Sequence, residues 1–185
     1  MGKVLQYGGI VASVILIAFG VGTIVTGIDG RDRVRDDLRR EQIVGTPDSA
    51  IPNQLVDSGS RAQAFAKVMR KHTLEATGGR TYAQLPRYAT TDGKGTNDEK
   101  LAATDAKGNP VDNPLRGLWV QETALTTALN TAYFAESVAT FAIVMGIGLL
   151  LAGIGFLVLT LRVLRRLEGG REPEPVAAPK VALSS

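Results

Sequence analysis

The sequence predicts a mainly α-helical membrane protein. Two transmembrane helices are joined by a mostly helical extracytoplasmic module, and the second span continues a long juxtamembrane helix. Two observations predict this fold. Two stretches, residues 7–28 and 137–161, contain no charged side chain, and a helix needs roughly 20 apolar residues to cross a bilayer. The region between them, 29–136, is polar but carries apolar residues at helical spacing. The 185 residues include no cysteine, which excludes disulfides, thiolate zinc sites and cysteine nucleophiles.

The first predicted span, residues 7–28, follows a short tail (1–6) and would form a helix about 33 Å long. Its apolar region exceeds the roughly 7–15 residues of a signal-peptide h-region, and an A-x-A-like cleavage site is not found after it. We therefore interpret it as an uncleaved signal anchor in the plasma membrane. A cleaved secretory signal peptide is the alternative.

The second predicted span, residues 137–161, is followed at once by Arg162, Arg165 and Arg166. The positive-inside rule places this end in the cytoplasm, so the tail 162–185 is predicted to be cytoplasmic and disordered. Two spans then put both termini on the cytoplasmic side. The Arg-rich stretch 31–40 argues for the reverse orientation, although long connecting segments translocate largely regardless of charge.

Small residues recur four apart on both spans and predict close helix packing, because they let two backbones approach in lipid. The sequence does not indicate whether the packing joins the two spans or two copies of the chain. The predicted packing residues are Ala18 and Gly22 in the first span, and Ala142, Gly146, Gly148 and Ala152 in the second.

The external region 29–136 carries 15 basic and 15 acidic residues, so the pI of about 9.3 gives little support to nucleic-acid binding. Residues 31–42 are predicted to form a solvated helix that continues out of the membrane. Residues 60–76 form the best soluble helix, with Ser60 as N-cap and Gln63 three positions on. One stripe of this helix is predicted to face a core, and it comprises Phe65, Val68, Met69, His72 and Ala76.

A helix, a glycine turn and a second short helix are predicted between Lys71 and Leu85. Gly78 and Gly79 end the first helix, since glycine adopts the left-handed conformation without steric cost. Thr81 with Gln84 repeats the capping pattern before Tyr82. We call Lys71–Leu85 the glycine-turn motif.

The glycine-turn motif, KHTLEATGGRTYAQL, resembles a motif in small two-span membrane proteins of actinobacteria that often carry the label "aromatic ring-opening dioxygenase". The resemblance extends over the first span, the motif and the approach to the second span. The resemblance implies architecture only. The candidate site residues of the extracytoplasmic motif are His72, Gly78, Gly79 and Tyr82. Members of that group are often shorter after the motif, and some contain external cysteines.

Residues 87–114 are rich in glycine, proline and charge and are predicted to form a mobile loop. Asn113 as cap and Pro114 at the first helical position begin the next helix. This helix is predicted to continue through the membrane as one rod of about 47 residues, with Trp119 packed in a core.

No catalytic, cofactor-binding or metal-binding residue is predicted. A ring-opening non-haem iron site uses two histidines and a carboxylate, whereas this chain has one histidine. The function predicted is that of a non-catalytic accessory or scaffold protein. The alternative is a subunit of an aromatic ring-opening dioxygenase or another enzyme complex. The expected partners are the lipid bilayer and either a second copy or a larger membrane complex; no nucleic acid and no small-molecule substrate is indicated.

Overall fold

A computed structural model describes residues 2–169, with side chains for residues 7–163, and it is mainly helical. The described residues form three α-helices: α1 (Gly2–Arg40), α2 (Gly59–Ala76) and α3 (Pro114–Gly169). Two short 3₁₀ helices, Tyr82–Gln84 and Glu99–Leu101, lie between α2 and α3. Both α1 and α3 contain a segment long and apolar enough to cross a bilayer. The predicted mainly helical fold with two long apolar helices is therefore confirmed. Most of the predicted cytoplasmic tail lies outside the described residues.

The chain forms two compact units. The first contains residues up to Ile24 and from Val144 onward, and the second is Val25–Ile143. In the first unit, α1 and α3 lie against each other with small residues between them, and Ser13 is fully buried. Its hydroxyl donates to the Gly9 carbonyl over 2.7 Å, which satisfies this polar group inside an apolar contact.

The core of the second unit is built from all three helices and the loop after α1. Its buried members are Leu38, Ile51, Val56, Ala62, Ala66 and Leu129. The presence of Leu38 corrects the prediction that residues 31–42 form a purely solvated helix. Val34 and Leu38 stand one turn apart in residues 31–40 of α1, which are otherwise all charged, so two apolar positions suffice to give this end of α1 an inward face.

Helix α2 begins one residue earlier than predicted, and its cap differs from the predicted one. The N-cap is Ser58, whose side chain makes no capping hydrogen bond, and the predicted Ser60 lies inside the helix. The first N–H of the helix, from Gly59, instead donates to the Glu136 carboxylate on α3. The Glu136 carboxylate, distant in sequence, thus accepts the hydrogen bond that a local capping side chain usually accepts.

The buried face of α2 consists of small residues. Ala62, Ala66, Val68 and Thr73 are buried, whereas Phe65, Met69 and His72 are half-buried. Of the predicted stripe, Val68 is buried, and Phe65 and Met69 pack against the core while partly buried. The enclosed positions that were not predicted are Ala62 and Ala66, whose small side chains allow α2 to approach its neighbours closely. Removing the Phe65 side chain should consequently cost less than the roughly 3–5 kcal/mol of a fully buried phenylalanine.

Residues 87–114 are linked by backbone hydrogen bonds around the buried side chain of Tyr88. Tyr88 and Thr96 exchange two hydrogen bonds, of 2.9 and 3.0 Å. The Ala89 N–H donates to the Val111 carbonyl over 2.9 Å. The segment predicted to be a mobile loop contains turns, isolated β-bridges and one short 3₁₀ helix, and its mobility stays a prediction.

Helix α3 begins where the sequence predicts, at Pro114. The Asn113 Oδ1 atom accepts a hydrogen bond from the Leu115 N–H over 3.1 Å, while its Nδ2 atom donates to the Pro86 carbonyl over 3.0 Å. The cap residue therefore also fastens the preceding loop. The helix has 56 residues, longer than the predicted rod, and the Trp119 side chain is buried with 3% exposure, as predicted.

Candidate functional site

The glycine-turn motif closes α2 with two left-handed residues. Gly78 and Gly79 have φ values of +62° and +75°. The Gly79 N–H donates to the Leu74 carbonyl over 2.7 Å, and the Gly78 N–H donates to the Glu75 carbonyl over 3.2 Å. This pair of bonds is the Schellman arrangement of a helix C-terminus.

The second half of the motif is fastened to the start of α3. The Trp119 Nε1–H donates to the Arg80 carbonyl over 3.0 Å, and Arg116 donates to the Leu85 carbonyl over 3.2 Å. The Arg116 guanidinium also lies 4.0 Å from the ring centre of Tyr82, a favourable cation–π distance. The motif therefore docks onto α3, and Tyr82 contributes through its ring face.

We predict that Gly78→Val destabilises the motif by about 1–2 kcal/mol, because an L-residue in the left-handed region clashes with its own backbone. A Cβ at Gly78 would meet no other atom within 4 Å, so the cost comes from backbone conformation alone. Gly78→Asn should cost less, since asparagine tolerates this region. Chemical denaturation followed by Trp119 fluorescence measures both variants; equal losses would contradict the strain argument.

His72 faces the loop after α1. Its Nε2 atom lies 2.8 Å from Asp48 Oδ2, which also accepts a hydrogen bond from Lys71 over 3.0 Å. The bonds to His72 and Lys71, and a third from Thr46, hold the pKa of Asp48 well below its ordinary value. This polar cluster ties the loop to α2. Among the described side chains, no group of three or more His, Cys, Asp or Glu residues could hold a metal ion.

The predicted small-residue positions divide into two groups. Gly146 lies in the contact between α1 and α3, where an added Cβ would come within 2.7 Å of the Gly20 carbonyl oxygen. Ala142 is half-buried, and Ala18 and Ala152 are exposed. At Gly22 and Gly148 a Cβ would meet nothing within 4 Å, so these two glycines do not face the other helix of the same chain.

The contact uses small residues seven apart rather than four apart. On α1 the buried small residues are Ser13, Gly20 and Gly27, and on α3 they are Ala139, Gly146 and Gly153. Residues two positions apart on a helix point in nearly opposite directions, which explains why Gly20 is buried and Gly22 is not. A search of the sequence for small residues at heptad spacing would have found this face.

The carboxylate of Glu136 on α3 is surrounded by donors from α1 and α2. The Arg35 Nε atom donates to its Oε1 over 2.7 Å, and Arg31 Nε donates to the same oxygen over 3.2 Å. The Gly59 N–H donates to Oε2. We call Arg31, Arg35, Gly59 and Glu136 the carboxylate cluster; sequence reasoning missed it because its members are far apart in the chain.

Opposing effects act on the pKa of Glu136, which precedes the predicted span. Burial of the carboxyl group raises the pKa, while hydrogen bonds from the Gly59 N–H, Arg35 and Arg31 lower it, and the net pKa lies below its ordinary value of 4.5. The group is therefore charged at neutral pH. Its two arginines are partly exposed, with side-chain exposures of 40% for Arg31 and 30% for Arg35.

An apolar groove of about 690 Å³ lies between α1, α2 and α3 in the second unit. Leu125 is 52% exposed in it, and the acidic side chains of Asp37 and Glu41 also line it. The principal apolar lining residues are Val34, Leu38, Phe65, Met69, Leu125 and Leu129. Binding sites for other molecules are typically concave and mostly apolar, with volumes of about 300–1,000 Å³.

No family model, no curated protein and no solved structure matches this chain.

Proposed function

We propose that this protein is a non-catalytic accessory protein of the cell membrane, and that its apolar groove binds a helix of a neighbouring membrane protein. The observation that carries the proposal is the open apolar groove close to the second predicted span. Its lining residue Ala135 precedes the predicted span 137–161 by two positions. Binding sites are typically concave and mostly apolar, and this groove has that shape rather than that of a flat patch.

The length of the groove fits an α-helix. On α3 it extends from Leu125 to Ala135, about 15 Å at the usual helical rise. A bound helix places its anchor residues at i, i+3, i+4 and i+7, and the first and last of these are about 10.5 Å apart. The groove can therefore accept the apolar face of two helical turns.

The charge at the groove favours a basic partner. Asp37 and Glu41 line one wall, and among the described ion pairs only Asp37 has a partner, Arg40 at 3.0 Å. Lysine or arginine residues flanking the apolar face of a partner helix would meet these carboxylates. Such rim contacts contribute specificity and association rate more than affinity.

The position beside the membrane favours a partner that is itself anchored in the bilayer. Two proteins held in one membrane meet at a high effective concentration, so a modest groove affinity gives a stable complex. The partner class we propose is therefore the extracytoplasmic helix next to a transmembrane span of another protein. A second copy of this chain and a lipid acyl chain are the competing occupants.

The proposed orientation places both termini in the cytoplasm and residues 29–136 outside. The support is sequence-based, from the arginines after the second span and the positive-inside rule. Protease added to spheroplasts should cleave within residues 87–114 and spare a C-terminal tag. Cleavage of the tag while the cytoplasm stays sealed would reverse the orientation.

Site-specific photo-cross-linking in native membranes tests the proposed partner. A photoreactive residue in place of Leu125 should cross-link to an amphipathic segment beside a span of a different membrane protein. The same probe in place of Val120, which is also exposed but lies outside the groove, should not. Cross-links only to a second copy, only to lipid, or equally from both positions would overturn the proposal.

A competing substitution identifies the groove as the contact. With the probe at the groove residue Ala128, Leu125→Asp should reduce the cross-link yield about tenfold, because a carboxylate desolvated on binding opposes the complex. Val120→Asp is the matched control on the same helix and should leave the yield unchanged. An unchanged yield in Leu125→Asp would exclude the groove.

A further inference from the structure

We propose that Arg31 and Arg35 together bind the phosphate group of an anionic phospholipid at the membrane surface. This site is separate from the apolar groove and does not depend on what the groove binds. The proposal rests on the donors that the two arginines leave free, on their distance from the predicted span, and on the charge of the carboxylate cluster.

The hydrogen bonds to Glu136 use only one nitrogen of each arginine. Both Arg31 and Arg35 donate through Nε, and within the described side chains no hydrogen bond is formed by their Nη atoms. Each guanidinium therefore retains four N–H donors at its outer end. Guanidinium groups recognise phosphate through such pairs of parallel donors.

The carboxylate holds the two guanidinium groups side by side. Both Nε atoms bond to the same oxygen, Glu136 Oε1, and Oε2 is occupied by the Gly59 N–H. Glu136 and Gly59 thus act as positioning residues that fix two neighbouring cations in one orientation. A preorganised pair binds an anion at a lower entropic cost than two free side chains.

The distance from the predicted span corresponds to the lipid headgroup layer. Arg31 follows Ile28, the end of that span, by three residues, about 4.5 Å along the helix. The headgroup layer on each side of the hydrocarbon core is about 5–7 Å thick. The long Arg31 side chain can therefore reach a phosphate from this height. Arg35 lies about 6 Å further along α1, and its side chain is held beside that of Arg31 by the shared Glu136 oxygen.

The local charge favours an anion as ligand. Two guanidinium groups face one carboxylate, so the cluster keeps a net positive charge. Other arginines on α1 are neutralised by acids on the same helix, Arg33 by Asp29 at 2.7 Å and Arg39 by Asp36 at 3.0 Å. Asp32, the remaining nearby acid, is exposed and forms no ion pair with Arg31 or Arg35 among the described residues.

Native mass spectrometry of the detergent-purified full chain tests the site with phosphatidylglycerol as probe. The wild type should retain phosphatidylglycerol, and Arg31→Gln or Arg35→Gln should lower its occupancy about tenfold, the usual effect of losing a charged hydrogen bond. Arg33→Gln, which removes an equal charge from the same turn, is the matched control and should retain the lipid. Equal retention in Arg31→Gln and Arg33→Gln would overturn the proposal.

Two further measurements distinguish lipid phosphate from free phosphate and separate loss of binding from loss of folding. Inorganic phosphate at millimolar concentration should not displace the lipid; complete displacement would show a free-anion site and contradict a lipid site. Arg31→Lys keeps the charge but loses the forked donors, so its occupancy should fall between those of the wild type and Arg31→Gln. If Arg31→Gln lowers the melting temperature, the lipid occupancy of Arg31→Lys becomes the deciding measurement. An occupancy in Arg31→Lys equal to that of the wild type would refute phosphate binding through the paired guanidinium donors.

Discussion

Glu136→Ala is expected to lose about 2–4 kcal/mol of the free energy of unfolding of the second unit. The substitution leaves two arginines without their carboxylate and the Gly59 N–H without an acceptor. Breaking a buried ion pair by removing one partner costs about 3–5 kcal/mol; the partial exposure of Arg31 and Arg35 reduces this value through solvent screening. The effect is large because marginal stability is usual for so small a unit.

The single tryptophan of the chain provides the measurement. Trp119 is buried in the second unit, so its fluorescence in detergent follows unfolding by urea. Glu75→Ala is the matched control, since the Glu75 side chain is 61% exposed and lies 3.8 Å from Lys71. A midpoint for Glu136→Ala equal to that of Glu75→Ala would contradict the structural importance of the cluster.

The pH dependence of stability follows from the same carboxylate. The pKa of Glu136 is lower in the folded chain than its ordinary value of 4.5, so the unfolded chain binds the proton more readily. This contribution to stability is complete above pH 4.5 and is lost as the pH falls through the folded pKa. Glu136→Gln should therefore lose less stability than the wild type on acidification below that pH.

Gly146→Leu should separate α1 from α3 in the first unit. A Cβ at Gly146 would lie 2.7 Å from both the Gly20 carbonyl oxygen and the Ile24 Cγ1 atom, and leucine adds three more carbons. Overpacking typically costs about 1–3 kcal/mol, and van der Waals contact is a main attraction between helices in lipid. Gly148→Leu is the matched control, because its Cβ would meet no atom within 4 Å.

An engineered disulfide measures this separation directly. A Cβ at Gly9 would lie 3.5 Å from the Thr160 Cβ, close to the roughly 3.5–4.5 Å between the Cβ atoms of disulfides. Gly9→Cys with Thr160→Cys should therefore cross-link on oxidation, without background from native cysteines. Adding Gly146→Leu should lower the yield, and adding Gly148→Leu should not. Equal yields would show that Gly146 does not govern the contact.

Local signals in the sequence predicted the elements well. Asn113 and Pro114 placed the start of α3, and Gly78 with Gly79 placed the end of α2, because caps and left-handed turns depend on neighbouring residues only. The two long apolar segments were equally evident, since a bilayer imposes a minimum length on any helix that crosses it.

Interactions between distant residues were not predictable in the same way. Glu136 contacts Gly59 and Arg35 only after all three helices have formed. The buried position of Leu38 on α1 could not be recognised because charged residues surround it in the sequence. The predicted four-residue pattern of small residues contained Gly146 but missed Gly20, because two small-residue faces were available on each span. To choose the correct face, the small residues of one helix have to be aligned with those of the other helix at the same time.

The region between α1 and α3 cannot be separated from the two long helices that flank it. Leu38 comes from the C-terminal end of α1 and Leu129 from α3, and both belong to the same core as Val56 and Ala66. Helix α2 has 18 residues, a length that is marginal in isolation, and its first N–H is accepted by a residue of α3. During biogenesis the segment between the helices can therefore complete its core only once both α1 and α3 have been made, and a fragment lacking either helix would lack part of that core.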